Sequence, residues 1–253
     1  CSEPTVSAAL ALIRGLAPVV GDDPRCEAIS DGGLSEPVAA VSSLAFVVAA
    51  LAIPVAVGSV RRLPGARTTR REPRGGAARL TGLPTYALLC AGVGVGSFLD
   101  HGPEPPLSAV AHGLPLAGVL AFVAADSLAD LSGRAAGWLW WAVPTAAVTA
   151  LIVPNPALAD AAQAALAAAA VAATLVRAFR RPDHRRRILL ALSLLGTGAA
   201  VGTFSRAGGP LCLPDSIWQG HAAWHLLAAA ALVVLAPVVG SRAGPEKGTE
   251  TGW

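Results

Sequence analysis

The sequence predicts an all-α membrane protein, a bundle of seven transmembrane helices. The first observation is composition: 54% of the 253 residues are hydrophobic and only 14% are charged, against about 25% charged residues in a soluble domain. The second is that apolar runs reach the roughly 20 residues that a helix needs to cross a bilayer. The third is that these runs are continuous, whereas the strands of a membrane barrel would alternate apolar and polar residues.

Seven apolar runs follow one another and define the predicted membrane domain, residues 36–240. They cover residues 37–60, 80–99, 107–128, 136–153, 157–178, 188–204 and 217–239. Residues 1–35 form a predicted extracytoplasmic segment, and residues 241–253 form a predicted cytoplasmic tail. That tail holds Lys247, the single lysine of the sequence. A retinal protein is therefore excluded, because its Schiff base needs a lysine within a helix.

Clustered arginines predict the orientation of the bundle. One cluster lies between the first and second spans and another between the fifth and sixth, and the positive-inside rule makes both loops cytoplasmic. Arg134 after the third span, and Arg242 and Lys247 after the seventh, agree. The N-terminus is thus expected outside and the C-terminus inside. We expect an integral protein of a bacterial plasma membrane, with a membrane lipid as its partner and no nucleic acid.

Three histidines form a predicted metal site on the outer side. His221 and His225 are four residues apart in the last span, so both rings share one helix face, roughly 5–6 Å apart at Cβ. His101, at the outer end of the second span, lies at the same predicted depth. Three histidines with an open fourth position are typical of catalytic zinc. The alternative is that these histidines hydrogen-bond one another and backbone carbonyls within the bundle.

Three further polar residues are candidates for catalysis beside the histidines. Ser97 precedes His101 by four residues, so its hydroxyl shares the helix face of that imidazole. Asp100 is the neighbour of His101 in sequence, and His112 lies at the same predicted depth in the third span. His112 could be a ligand, a hydrogen-bond partner of a ligand, or a packing residue.

The cysteines agree with this orientation. Cys26 precedes the first span and Cys212 the last, so both lie on the predicted outer, oxidising side, where disulfides persist. A Cys26–Cys212 disulfide would hold the N-terminal segment beside the last helix; the alternative is two exposed thiols. Cys90 lies in the middle of a span and is expected to be a small buried hydrophobic residue.

Four short blocks, in this order along the chain, carry a resemblance to a known family. They are Cys26-Glu27 with Glu36-Pro37 and Ser42-Ser43; residues 94–101, Gly-Val-Gly-Ser-Phe-Leu-Asp-His; residues 112–115, His-Gly-Leu-Pro; and residues 212–225, which end in His-Ala-Ala-Trp-His. Together they resemble the alkaline ceramidases, within the wider superfamily of seven-span membrane hydrolases that includes the adiponectin-type receptors.

The resemblance implies a zinc-dependent hydrolase whose metal is held by His101, His221 and His225. Its substrate would be a sphingolipid-like lipid amide such as ceramide, entering sideways from the bilayer. Zinc would polarise the carbonyl and deliver hydroxide, and Ser97 would donate a hydrogen bond to the developing oxyanion. His112 or Asp100 would shuttle the proton.

The chain also departs from the family pattern. His112 stands where the family has an aspartate, and Asp100 where it has a phenylalanine. Of the acids in the family's calcium site only Glu27 and Glu36 have counterparts, which makes calcium the weaker metal expectation. Two other classes stay open: a seven-span lipid or signal receptor with a structural zinc, and a transporter. A transporter should carry polar residues through to the inner side, where Asp126 is the only deep acid that the sequence indicates.

Overall fold

A computed structural model describes residues 25–62, 82–135 and 137–241. These residues form seven helices and, within these ranges, no strand, which confirms the all-α class. Most of the predicted N-terminal segment, most of the arginine loop between the first two spans, and the predicted tail beyond residue 241 lie outside the described residues.

The helices are α1 (Pro37–Arg62), α2 (Leu83–His101), α3 (Ser108–Ser132), α4 (Leu139–Thr149), α5 (Pro156–Arg180), α6 (Pro182–Phe204) and α7 (Gly220–Leu235). Five of them, α1, α2, α3, α5 and α6, are long and apolar enough to cross a membrane. The protein is therefore an integral membrane protein in character. The predicted fourth and seventh spans form shorter helices, of 11 and 16 residues.

Helix α6 begins earlier than the apolar pattern predicts, at Pro182 rather than at residue 188. Proline suits the first turn of a helix because its missing N–H has no partner there. Asp183 lies in the same turn, where a negative charge is favourable beside the positive end of the helix dipole. The arginines at 185–187 consequently lie on helix α6 and not in a loop.

Helix α7 is shorter than the predicted span at both ends. Before it, the side-chain amide of Gln219 donates hydrogen bonds to the carbonyl oxygens of Leu213 and Ser216, at 2.9 and 2.7 Å, which fixes the preceding residues as a loop. After it, residues 236–240 form turns that end at Gly240, whose φ of 73° is in the left-handed region that glycine adopts readily.

The helices pack mainly on their neighbours: α1 on α2, α2 on α3, α6 on α7, and α7 back on α1, while α4 and α5 pack against α3. The apolar core lies midway along them and includes Phe46, Ile53, Val93 and Phe122. Cys90 is buried in this core with a free thiol, as predicted. The core separates two groups of polar side chains, one at each end of the bundle.

Two glycines let α2 approach both of its neighbours closely. A Cβ on Gly96 would collide with the main-chain carbonyl of Ala111 in α3. A Cβ on Gly94 would lie 2.8 Å from the Val47 side chain and 3.0 Å from the carbonyl oxygen of Ser43 in α1. Side chains of α1, α2 and α3 can therefore meet around the outer end of α2.

A second group of polar side chains lies at the opposite end of the bundle and joins α3, α5 and the turn after α7. We call it the arginine cluster; it consists of Asp126, Asp130, Arg177, Arg181 and Ser241. Arg177 is only 2% exposed. Its guanidinium donates to the carboxylates of Asp126 and Asp130, at 2.8 and 3.0 Å, and to the carbonyl oxygen of Ser241 at 2.8 Å. Arg181 also donates to Asp130, at 2.9 Å.

The arginine cluster corrects one inference from the sequence. Asp126 is not the only deep acid on this side, because Asp130 is also buried, with 3% of its surface exposed. A carboxylate can be buried when it is paired with a cation and hydrogen-bonded, and Arg177 and Arg181 supply both. These arginines follow a long run of alanine, a context in which the sequence alone does not show which face is buried.

Candidate metal centre

The structure brings the three predicted histidines together at one end of the bundle. His101 is the last residue of α2, and His221 and His225 occupy the first turns of α7. Each offers a ring nitrogen, and these nitrogens all lie within 4.8 Å of one another. His101 and His225 are buried, and His221 is partly exposed. Within the described part of the chain, no other group of three or more potential ligands meets this condition.

Glu36 fixes the orientation of the His101 ring. The Nδ1 atom of His101 lies 2.6 Å from Oε2 of Glu36, and the main-chain N–H of Glu36 donates to the carbonyl oxygen of His101 at 2.8 Å. A carboxylate only accepts hydrogen bonds, so Nδ1 must carry the proton. In the neutral ring the lone pair is then on Nε2, which faces Nε2 of His221 at 3.1 Å.

Ser42 fixes the His225 ring in the same way. Its hydroxyl donates to the carbonyl oxygen of Ala39 at 2.9 Å, and its oxygen lies 2.9 Å from Nδ1 of His225. Since the hydroxyl hydrogen is already used, the oxygen accepts from Nδ1–H. The lone pair of His225 is then on Nε2, directed toward Ser97. The ring of Phe46 packs edge-on against His225, with centroids 5.8 Å apart.

The histidine cluster, His101, His221 and His225, could hold a metal ion. Two nitrogens that each lie about 2.0–2.1 Å from a tetrahedral zinc are roughly 3.3–3.4 Å apart. The two facing Nε2 atoms of His101 and His221 are 3.1 Å apart, which is close to that value and is also the distance of a hydrogen bond between the two rings, the alternative that the sequence left open. A carboxylate or hydroxyl behind a histidine is also the usual support of a metal ligand, because it sets the tautomer and the direction of the ring.

Ser97 lies beside the histidine cluster, in contact with His225. It is fully buried, and its hydroxyl oxygen is 3.4 Å from Nε2 of His225. Its oxygen also lies 2.9 Å from the hydroxyl oxygen of Ser43, which donates its own hydrogen to the carbonyl oxygen of Ala39 at 2.8 Å. Ser43 belongs to the first block of the resemblance, and its hydroxyl connects α1 to Ser97.

His112 and Asp100 lie at the edge of the site. The His112 ring is 6.2 Å from the His101 ring, centroid to centroid, and its buried Nδ1 has no hydrogen-bond partner in the described structure. His112 does not belong to the three-ligand group. The carboxylate of Asp100 accepts a hydrogen bond from the hydroxyl of Ser108, at 2.9 Å. The catalytic roles of His112 and Asp100 stay predictions.

A cavity of about 650 Å³ opens beside the histidine cluster. It is lined by His101 and His221, by small or apolar residues that include Ala199, Gly202 and Trp224, and by charged side chains. Since it reaches two of the three histidines, a metal held there would have an open coordination position facing the cavity.

The segment around Cys26 covers one side of this cavity. Cys26 and Cys212 lie at disulfide-bonding distance, with Cα atoms 5.6 Å apart, as one of the two alternatives predicted. Next to them, the N–H of Ala28 donates to the carbonyl oxygen of Pro214 at 3.1 Å. Both contacts tie the N-terminal segment to the loop before α7.

The two acids expected to bind calcium have other partners. Both carboxylate oxygens of Glu27 accept main-chain N–H groups, from Val38 at 2.7 Å and Ala39 at 2.9 Å. Glu27 therefore satisfies donors that the first turn of α1 leaves without intrahelical acceptors. Glu36 serves His101 instead. Glu36 belongs to the first block of the family resemblance, but the sequence alone does not show that it pairs with His101.

No family model matches this chain, and no curated protein matches it at a significant level. A ring nitrogen from each of three imidazoles lies within 4.8 Å of the others, and a cavity reaches His101 and His221. Such an arrangement can hold a divalent metal ion and expose it to a small molecule or a lipid.

Proposed function

We propose that this protein is a zinc-dependent intramembrane hydrolase of lipid amides, similar to the alkaline ceramidases. One observation carries the proposal: a ring nitrogen from each of His101, His221 and His225 lies within 4.8 Å of the others, and His101 and His221 line an open cavity. Glu36 and Ser42 set the tautomers of His101 and His225, which is the support that a metal-ligating histidine commonly has.

The residues around the histidine cluster have distinct roles in this proposal. A bound zinc ion would polarise the substrate carbonyl and lower the pKa of a water molecule to about 7. The Ser97 hydroxyl, 3.4 Å from Nε2 of His225, would donate a hydrogen bond to the developing oxyanion. His112, whose Nδ1 has no partner in the described structure, would accept and return the proton. Asp100 is the second candidate for that transfer.

We further propose that the site faces the extracytoplasmic side of a bacterial plasma membrane. In this arrangement α4 and α7, extended by their flanking turns, complete seven spans with the N-terminus outside and the C-terminus inside. The Cys26–Cys212 pair supports it, because disulfides persist in an oxidising compartment. The arginines of residues 180–187 lie at the end of the bundle opposite to the histidine cluster, which agrees with the positive-inside rule.

Metal analysis combined with lipid turnover tests the proposal. The detergent-purified protein should hold about one zinc ion per chain and release fatty acid from N-acyl lipids. His225→Ala should lose both the metal and the turnover, because two nitrogens do not hold zinc as three do. His184→Ala is the matched control, since His184 contacts Ser241 at the other end of the bundle. Zinc retained by a His221→Ala/His225→Ala double variant would refute the site.

A seven-span lipid or signal receptor with a structural zinc is the second candidate. His112 favours it, because this residue replaces the family's aspartate and lies outside the three-ligand group. Stoichiometric zinc, without turnover of any N-acyl lipid in a screen, would favour the receptor over the hydrolase.

A further inference from the structure

Charged side chains line the cavity, and each acid among them has a partner. Glu104 is paired with Arg25, and Asp100 accepts from the hydroxyl of Ser108. Glu36 and Glu27 are the partners of the His101 ring and of the first turn of α1. The negative charges of the described lining are therefore already engaged within the protein.

Arg206 is the exception among these charges. It follows α6 directly and lines the cavity together with His221 and Trp224. No hydrogen bond or ion pair of its guanidinium occurs within the described structure, whereas Arg25, the other cation of the lining, is paired with Glu104. An unpaired guanidinium that shares a cavity with the histidine cluster would attract an anion.

Ser205 supplies a second, independent observation at the same place. It is only 3% exposed and lines the same cavity, and its buried hydroxyl oxygen has no hydrogen-bond partner among the described residues. The hydroxyl packs against Gly220, where a Cβ would overlap it. Buried hydroxyls nearly always have a hydrogen-bond partner, so one without any indicates a missing ligand or water.

We propose that Ser205 and Arg206 bind an anionic head group of the lipid substrate. The proposal rests on the proposed function: the amide of the lipid would lie at the histidine cluster, and a carboxylate or phosphate near that amide would reach Arg206. A guanidinium offers parallel N–H donors that match the oxygens of either group, and the adjacent hydroxyl adds one more donor. The preferred substrates are then acidic lipid amides rather than neutral ones.

Three lipids with one acyl chain test this proposal: N-oleoylglycine, N-oleoylethanolamine phosphate and neutral N-oleoylethanolamine. Binding is followed by the fluorescence of Trp224 and the other tryptophans, and turnover as kcat/KM. The wild-type protein should bind at least one of the acidic lipids at least about tenfold more tightly than the neutral one, as expected for a charge-assisted hydrogen-bonded pair. The carboxylate and phosphate lipids together show which anion the site takes.

Arg206→Gln should reduce this preference to near unity while the zinc content stays at the wild-type level, and Ser205→Ala should reduce it less. Arg185→Gln is the control, because Arg185 lies at the other end of the bundle, beside Phe179. Equal binding of acidic and neutral lipids by the wild-type protein would overturn the proposal. So would a preference that persists in Arg206→Gln, because the anion would then bind the metal itself. Acidic lipids bound through Arg206 but never hydrolysed would support the head-group site and contradict the hydrolase.

Discussion

The histidine cluster and the arginine cluster bury polar groups at opposite ends of the bundle, and they satisfy those groups in opposite ways. In the arginine cluster the two Asp carboxylates face the guanidinium groups of Arg177 and Arg181. Arg177 also donates to the carbonyl oxygens of Val238 and Ser241. Its charges are balanced within the protein. In the histidine cluster, acceptors behind His101 and His225 turn the Nε2 atoms of the two rings toward His221 and Ser97.

This difference separates a structural polar group from a functional one. Both clusters lie in helices that are otherwise apolar, where an ionisable residue is usually taken as a sign of function. Burial alone therefore does not distinguish them. The distinction lies in charge and access: the arginine cluster pairs its charges inside the protein, whereas the histidine cluster gathers three ring nitrogens within 4.8 Å of one another beside an open cavity.

Replacement of Arg177 should have the largest effect on stability. Arg177→Leu leaves the buried carboxylates of Asp126 and Asp130 with fewer partners, and we expect a loss of about 3–5 kcal/mol in the free energy of unfolding. Denaturant unfolding in detergent measures it, with the exposed Arg180→Leu as control. Folded Arg177→Leu protein should keep its zinc.

A companion variant keeps this prediction testable if Arg177→Leu does not fold. Arg177→Leu combined with Asp126→Leu removes a charge of each sign, and it should recover part of the stability because fewer unpaired charges stay buried. Equal stability of Arg177→Leu and the wild-type protein would show that the arginine cluster does not stabilise the fold.

Replacement of Glu36 should have the opposite outcome to that of Arg177: it should weaken zinc binding rather than the stability of the fold. Glu36→Gln removes the charge behind His101 but keeps an oxygen that can accept from Nδ1. Mutation of the group that supports a metal ligand typically costs about 10–100-fold in metal affinity. Competition with a zinc-binding dye measures it, and the exposed Asp160→Asn is the matched loss of a carboxylate. Unchanged zinc affinity in Glu36→Gln would mean that His101 is not a ligand oriented by Glu36.

Much of the fold follows from the sequence, because continuous apolar runs require helices that satisfy their own backbone groups in lipid. The ends are less predictable. Helix α6 begins at Pro182, so it includes charged residues that precede the apolar run. Helix α7 begins late because the Gln219 side chain donates hydrogen bonds to carbonyl oxygens of the preceding loop. These effects come from individual hydrogen bonds and from local capping, which hydropathy does not contain.

The site is predictable where residues share a helix and unpredictable where helices meet. His221 with His225, and Ser97 with His101, follow from a spacing of four residues. Glu36 and Ser42 are distant in sequence from the histidines that they orient, and only the packing of α1 against α2 and α7 brings them there. The sequence likewise does not show that the Arg177 side chain is buried, because its partners lie on α3 and in the turn after α7.

The smallest predicted effect is that of Ser42, and it is the most specific test of the tautomer argument. Ser42→Ala removes the oxygen that accepts from Nδ1 of His225, while His225 itself stays in place. A lost neutral hydrogen bond costs about 0.5–1.5 kcal/mol, which corresponds to a roughly two- to tenfold weaker zinc affinity. Ser132→Ala is the control, because the Ser132 hydroxyl likewise donates to carbonyls of its own helix but touches no histidine. If the two variants bind zinc equally well, the direction of the His225 lone pair does not depend on Ser42. In that case the packing of the helices would set the histidine cluster, whereas ion pairs and hydrogen bonds hold the arginine cluster.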